Sequence, residues 1–152
     1  MSTKSPFRYY LSVRYQECDA QNVVFNARYG DYVDLAVTEF LRASMPGRDP
    51  FDGTFEIQTV RQLIEWKGPF RFRDVVEVTV KVLRFGTTSF TIGFEMRRAG
   101  APEIVASAEL VYVHVDGSTW TKLPLPAAAR EMLETGALGK VTDHAGWTTG
   151  SG

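Results

Sequence analysis

The sequence predicts an α+β fold in which an antiparallel sheet faces one long helix. Three features support this class: an alternating first strand, one long amphipathic segment after it, and four consecutive strand-like segments. One helix cannot alternate with four strands, so a doubly wound parallel sheet is excluded. With 152 residues, 44% of them hydrophobic, the chain is long enough for one domain with a substantial core.

A polar loop separates the first strand from the helix. Phe7 to Tyr15 alternates apolar and polar residues, which is the pattern of a half-buried strand. Gln16 to Asn26 is polar and contains residues that favour turns. From about Ala27 to Ala43 apolar residues recur at helical spacing, and Met45-Pro46-Gly47 ends the predicted helix.

Four strand-like segments follow the helix. Phe55 to Trp66 is rich in Ile, Val and Thr, and the segments Val76 to Val82 and Phe90 to Met96 alternate. Ile104 to Val115 is apolar on both faces, which is typical of a central strand or of one at an interface. The breaks between the last three segments are short enough for antiparallel hairpins. A short helix is expected from Ala127 to Glu134.

The elements indicate a single domain with a tail. We expect residues 1–135 to form a five-stranded antiparallel sheet wrapped around one long central helix. Residues 136–152 are rich in Gly and Thr, and we expect a flexible C-terminal tail there.

Composition excludes several classes of partner. A formal net charge of −1 gives no electrostatic reason to expect nucleic acid or an anionic membrane. The sequence has neither a secretory leader pattern nor an apolar run of membrane-spanning length. The single cysteine cannot form an internal disulfide, so we expect a cytoplasmic protein. Two histidines and one cysteine fall short of the four ligands that structural zinc usually takes, so no metal is expected.

Two stretches carry a resemblance to a known family. The first is Val13–Asp19 (VRYQECD) followed by Val23–Tyr29 (VVFNARY), and the weaker second is Val113–Asp116 (VHVD) with Lys122–Pro126 (KLPLP). Together they resemble the hotdog-fold thioesterases of the 4-hydroxybenzoyl-CoA thioesterase family, over Phe7 to Leu133. The resemblance implies a hotdog fold that hydrolyses an acyl-CoA thioester to a carboxylic acid and CoA, without a metal or a redox cofactor.

The resemblance also implies roles for individual residues. Thioester hydrolysis needs a nucleophile or base beside the carbonyl, and donors for the oxyanion that forms. A helix N-terminus offers unpaired N–H groups and a partial positive charge. By resemblance, Asp19 is the catalytic carboxylate, acting as nucleophile or as base on water, and the backbone N–H of Asn26 donates to the oxyanion. Substrate contacts are expected from Val24, Phe25 and Tyr29.

The chain departs from the family pattern at two places. Asn22 stands where the family commonly has Gly, and Asn tolerates positive φ better than most residues. The family's basic pair for CoA phosphates would fall around Gly86 and Thr87 and is missing here. Other basic residues must then bind the nucleotide, and the candidates are Arg84, Arg61, Lys67 and Arg71.

Simpler roles compete with the catalytic ones. Asp19 and Asn22 could serve only as turn residues, and Asn26 could be the N-cap of the helix. Glu17 is expected to be a solvated surface carboxylate. The helix residues Tyr29, Tyr32 and Phe40 are expected to belong to the core.

A cysteine nucleophile is a further alternative. Cys18 would need a partner base to form the thiolate. His114 lies in an apolar strand, where a packed histidine is expected, and His144 lies in the predicted tail. We therefore expect Cys18 to be a small packing residue.

Two rival functions stay open. A hotdog dehydratase or hydratase generally relies on a histidine paired with a carboxylate or an amide, and the loop–helix region here contains no histidine. A non-catalytic acyl-binding protein could also use the fold. The resemblance further implies a homo-oligomer, either a dimer or a dimer of dimers (a homotetramer), in which neighbouring subunits complete each site.

Overall fold

Residues 4–148 are described by the computed structural model, and their elements follow the predicted order. The strands are β1 (Phe7–Ser12), β2 (Glu56–Trp66), β3 (Val75–Phe85), β4 (Ser89–Arg98), β5 (Ile104–Val115) and β6 (Val141–Asp143). The helices are α1 (Arg28–Ser44) and α2 (Ala127–Thr135), and a short 3₁₀ turn spans Tyr15–Glu17.

All six strands form one sheet, in the order β2-β5-β4-β3-β1-β6. Neighbouring strands are antiparallel except for β1 and β6, which run parallel. The register places Phe7 opposite Val80, Val80 opposite Phe94, and Phe94 opposite Ala108. The alternation seen in the sequence therefore gives the sheet one continuous apolar face.

Helix α1 contributes its own apolar face to the core. Its buried residues recur every three or four positions, so they form one stripe. They are Tyr29, Tyr32, Val33, Ala36, Val37, Phe40, Leu41 and Ser44. Tyr29, Tyr32 and Phe40 belong to the same buried cluster as the inward residues of β1, β3, β4 and β5, as the sequence predicted. The α+β class with one long helix is thus confirmed.

The expected strand count and the expected tail need correction. Val141–Asp143 adds a sixth strand, which pairs with β1 through Arg8 opposite Val141 and Tyr10 opposite Asp143. The sequence signal was weak because the strand is only three residues long and its pairing depends on the otherwise free edge of β1. Part of the expected tail is therefore built into the sheet.

Residues after β6 are organised by the Asp143 carboxylate. The backbone N–H of Ala145 donates to it at 2.9 Å, and that of Thr148 at 2.7 Å. Burial alone would raise the pKa of Asp143, but these bonds and that of the Thr148 hydroxyl outweigh it and lower the pKa to about 2.

Strand β2 forms the other edge of the sheet. Within residues 4–148 its only strand partner is β5, and Val60, Leu63 and Trp66 are exposed along it. In the same part of the chain, no helix is long and apolar enough to cross a membrane.

Candidate active site

Asp19 begins a tight turn between two short extended segments. Cys18 and Val24 form an antiparallel bridge, and the Asp19 N–H donates to the carbonyl of Val23 at 2.9 Å. Inside the turn, the Asn22 N–H donates to the Asp19 carbonyl at 3.0 Å, and Asn22 has φ of 61°. Asn22 thus provides the left-handed conformation that glycine would adopt without strain.

The two carboxylate oxygens of Asp19 have different surroundings. Oδ1 accepts hydrogen bonds from the backbone N–H of Gln21 at 2.8 Å and of Val23 at 3.4 Å. Oδ2 accepts no hydrogen bond from any residue in the described range 4–148. The side chain is half-buried. One oxygen therefore orients the carboxylate, and the other remains available to a water or a substrate.

The N-terminus of α1 lies a few residues downstream of this turn. The Val24 N–H donates to the Phe70 carbonyl at 2.9 Å, and the Phe25 N–H donates to the Glu17 carbonyl at 3.0 Å. Among the residues that the structure describes, none accepts a hydrogen bond from the N–H of Asn26. An unbonded N–H at the positive end of a helix is suited to stabilising an oxyanion.

The alternative role of Asn26 as the N-cap is wrong. The cap residue is Ala27, which has helical dihedral angles and offers no side-chain hydrogen bond. Since Ala cannot cap a helix with its side chain, backbone carbonyls take that role: the Arg28 N–H donates to the Phe25 carbonyl at 2.9 Å, and the Tyr29 N–H donates to the Asn26 carbonyl at 3.2 Å.

Glu17 is buried, which corrects its expected place on the surface. Only 4% of the residue is exposed. Its Oε1 accepts hydrogen bonds from the Tyr32 hydroxyl at 2.9 Å and from the Arg14 backbone N–H at 2.8 Å. Its Oε2 is paired with the Arg14 guanidinium at 2.9 Å. Every oxygen of this carboxylate is thus engaged, as the burial of a charge requires.

These contacts make Glu17 an anchor for the site. Its backbone carbonyl accepts a hydrogen bond from the Phe25 N–H, and its side chain accepts one from the Tyr32 hydroxyl. Glu17 therefore links the Asp19 turn both to the segment that precedes α1 and to α1 itself. Burial, followed by the hydrogen bond to Glu17, raises the pKa of Tyr32 far above its ordinary value. The hydroxyl of Tyr32 is therefore a permanent donor at any physiological pH.

The three expected substrate-contact residues have different exposures. Val24 and Tyr29 are 3% and 1% exposed, and both belong to the core. The Tyr29 hydroxyl accepts a hydrogen bond from the Phe70 N–H at 3.1 Å, so it has a structural partner. Phe25 is 47% exposed. Of the three, Phe25 offers the open side chain beside the Asn26 N–H.

Cys18 lacks the surroundings of a nucleophile. Burial, together with the charges of Glu17 and Asp19, raises the pKa of its thiol and disfavours the thiolate. His114 is packed as expected, since it is 7% exposed and its Nδ1 lies 3.1 Å from the Pro124 carbonyl oxygen. His144 pairs instead with the Tyr9 hydroxyl at 2.7 Å. Each histidine thus has its own partner away from the thiol.

Comparison with known proteins identifies the class. The sequence model of the Thioesterase-like superfamily matches residues 13–133, and the chain belongs to this family. The match includes the Asp19 turn, all of α1, the strands β2 to β5 and α2 as far as Leu133. The expected thioesterase family is therefore confirmed, and with it the expectation that this chain is an enzyme of thioester hydrolysis.

Individual relatives and solved structures are also similar to this chain. A protein of Aquifex aeolicus, provisionally named an esterase, is 31% identical over 90 residues, which are 59% of this chain and 70% of the relative. A 1,4-dihydroxy-2-naphthoyl-CoA thioesterase from Synechocystis is 19% identical, with a TM-score of 0.75 over 85% of this chain and 96% of the other. A Thermus thermophilus thioesterase solved with coenzyme A and Zn is 24% identical, with a TM-score of 0.73 over 87% of this chain and 94% of the other. These likenesses confirm the hotdog fold.

Proposed function

We propose that this chain hydrolyses acyl-CoA thioesters to a carboxylic acid and free CoA. The observation that carries the proposal is the Asp19 carboxylate, oriented through one oxygen and open at the other, on a turn tied to the N-terminus of α1. Family membership supplies the reaction class, and the thioesterase from Synechocystis acts on a CoA thioester. The compartment that we propose is the cytoplasm.

Asp19 and Asn26 have separate roles in the proposed reaction. The open oxygen of Asp19 either attacks the thioester carbonyl or takes a proton from the attacking water. The Asn26 N–H donates to the carbonyl oxygen as negative charge develops on it, aided by the positive end of α1. The C–S bond breaks, CoA leaves as the thiol after gaining a proton, and water supplies the new oxygen of the acid.

Release of free thiol from a panel of acyl-CoAs tests the proposal. The wild-type protein should release thiol from at least one member, and Asp19→Asn should lower kcat/KM by about a hundredfold or more. Asn keeps a side-chain oxygen that can accept the bonds from Gln21 and Val23, so the turn should survive. A loss smaller than about tenfold would remove Asp19 from the chemistry.

A matched control separates chemistry from turn structure. Asp49 also accepts a backbone N–H two residues ahead, that of Phe51 at 2.9 Å, in an exposed turn. Asp49→Asn should therefore leave kcat/KM unchanged. Hydration of crotonyl-CoA in place of thiol release would support the dehydratase alternative, and binding without turnover would support the acyl-binding one.

We also propose that the protein is a homo-oligomer, either a dimer or a dimer of dimers. Support comes from β2, whose exposed Val60, Leu63 and Trp66 line an edge that lacks a second strand partner within residues 4–148. Apolar edge strands of this kind favour pairing with another chain. Pairing would also cover Trp66, whose ring meets Tyr29 of α1 edge-on at 5.9 Å.

Light scattering after size exclusion tests the oligomer. Val60→Lys, at a position that is 60% exposed, should shift the protein to a smaller species, because charges on an edge strand oppose pairing. Val141→Lys on β6, at the opposite edge of the sheet, is the matched control and should change nothing. A wild-type protein that elutes as a monomer would overturn this part of the proposal.

A further inference from the structure

An arginine-bearing turn lies beside the Asp19 turn and has no role in the chemistry described above. It spans Arg71–Asp74 and is closed by the Asp74 N–H, which donates to the Arg71 carbonyl at 3.0 Å. The Asp74 carboxylate accepts from the Arg71 N–H at 2.8 Å and from the Arg98 Nε at 3.1 Å. The turn is therefore held rigidly from its base.

Arg73 occupies a position in this turn that glycine would fill without strain. Its φ is 74°, at the third residue of the turn, where a positive φ usually selects Gly or Asn. Such a conformation is costly for a residue with a long side chain, and strained residues of this kind cluster at ligand-binding sites. The strain points to a use for the guanidinium that glycine could not supply.

The turn presents cations and aromatic rings together. The Arg73 guanidinium lies 5.2 Å from the ring centre of Phe72, and the Tyr15 ring meets Phe72 edge-on at 5.7 Å. Tyr15 is 74% exposed, an unusual exposure for a ring of this size. Within the described residues, no carboxylate pairs with the side chain of Arg71 or Arg73. We call Tyr15, Arg71, Phe72 and Arg73 the basic turn surface.

The backbone connects this surface directly to the candidate active site. Val23 forms an antiparallel bridge with Arg71, and its carbonyl also accepts the Asp19 N–H. Val23 therefore lies between Asp19 and Arg71, which places the two backbones about 10 Å apart, the width of two strand spacings. The pantetheine arm of CoA separates thioester from diphosphate, so a phosphate site belongs near Asp19 but not at it.

We propose that the basic turn surface binds the adenosine 3′-phosphate 5′-diphosphate end of CoA. The guanidinium groups of Arg71 and Arg73 pair with the phosphates, and the exposed Tyr15 ring stacks against the adenine. Phe72 supports Tyr15 edge-on. The inference rests on the proposed function, because it deepens the recognition of the same substrate.

Two of the other basic candidates, Arg84 and Arg61, fit this role less well. Arg84 is already paired with Glu109 at 3.3 Å. Arg61 lies on the sheet face away from α1, since the next residue, Gln62, pairs with the inward-facing Leu110. Gly86 and Thr87, where the resemblance implied a basic pair, carry no charge.

Two substrates that share an acyl group test the assignment. The first is the acyl-CoA with the fastest turnover, and the second is the same acyl group on N-acetylcysteamine, which lacks the nucleotide. In Arg71→Ala/Arg73→Gly, KM for the acyl-CoA should rise by about tenfold or more, with kcat little changed, because charge-assisted phosphate bonds are lost. The kinetics of the short thioester should not change. Glycine relieves the positive φ of residue 73, so this variant should fold normally.

Binding of adenosine 3′,5′-bisphosphate, followed by calorimetry, gives a readout that needs no turnover. Wild type should bind it more weakly as salt increases, and the double variant should lose most of the affinity. Arg61→Ala, which removes an exposed arginine elsewhere, should bind like wild type. Equal KM changes for both thioesters, or unchanged nucleotide affinity in the double variant, would overturn the assignment. Nucleotide binding without hydrolysis of any acyl-CoA would instead contradict the proposed function alone.

Discussion

Glu17 and Asp19 lie two residues apart, yet the structure uses their carboxylates in opposite ways. Glu17 is buried, and Tyr32 and Arg14 occupy both of its oxygens. Asp19 is half-buried and is oriented by backbone N–H groups on one oxygen only. The first carboxylate stabilises the site, and the second is left available for reaction. This contrast predicts that changes at Glu17 act on folding and activity together, while changes at Asp19 act on activity alone.

The largest effect on stability is expected at Glu17. Glu17→Ala should lower the free energy of unfolding by about 3 kcal/mol, because the buried Tyr32 hydroxyl and the Arg14 N–H lose their acceptor. Activity should fall as well, since the Asp19 turn loses its anchor to α1. Urea denaturation and thiol release measure the two effects. Glu95→Ala, which removes an exposed pair with Arg97, should cost less than about 1 kcal/mol.

Tyr32→Phe should have a smaller effect of the same kind. It removes one hydrogen bond to Glu17 but leaves the Arg14 contacts, so the expected loss is about 1.5 kcal/mol. If the two residues act through their shared hydrogen bond, the double variant Glu17→Ala/Tyr32→Phe should lose less stability than the sum of the losses in the two single variants. Additive losses in a double-mutant cycle would contradict the proposed anchor.

The order of the helix and of the first five strands could be read from the sequence because each strand segment is long enough to show a pattern. β1, β3 and β4 alternate, whereas β2 is rich in Ile, Val and Thr and β5 is apolar on both faces. Ile104–Val115 has the same bounds in the structure as in the prediction. The sixth strand could not be read in this way. Val141–Asp143 is too short to show a period, and it is stabilised by the edge of β1, more than a hundred residues away.

The site was predictable in part for a similar reason. Asp19 and the N-terminus of α1 lie within one stretch, so a local pattern could point to both. The burial of Glu17 depends on Tyr32, which reaches it from the helix, and the long charged side chain gave no local sign of this. The spacing of Arg14 and Glu17, three residues apart, was the one local signal of their ion pair, but it does not by itself indicate burial.

Asn22 tests whether the turn itself must keep its shape. Because its φ is 61°, Asn22→Gly should change stability by less than about 0.5 kcal/mol and keep activity. Asn22→Val should cost about 1 kcal/mol, since a β-branched residue is strained in the left-handed region, and should lower kcat/KM. Thermal unfolding and thiol release compare the two variants. Equal behaviour of Gly and Val would show that the turn geometry does not matter.

Cys18 should give the smallest effect. Its raised pKa means less thiolate than in a free cysteine at the same pH, so iodoacetamide should modify it more slowly than it modifies glutathione at neutral pH. Cys18→Ser should keep kcat/KM within about twofold of wild type. Mass spectrometry follows the alkylation. Rapid alkylation together with loss of activity in the serine variant would revive the cysteine mechanism.

The catalytic role of Asp19 is tested most directly by measuring kcat/KM and the free energy of unfolding on one preparation of Asp19→Asn. We expect kcat/KM to fall by about a hundredfold or more, while the free energy of unfolding stays within about 0.5 kcal/mol of wild type. Retained activity, or an activity loss explained by unfolding, would contradict the claim that Asp19 carries the reaction.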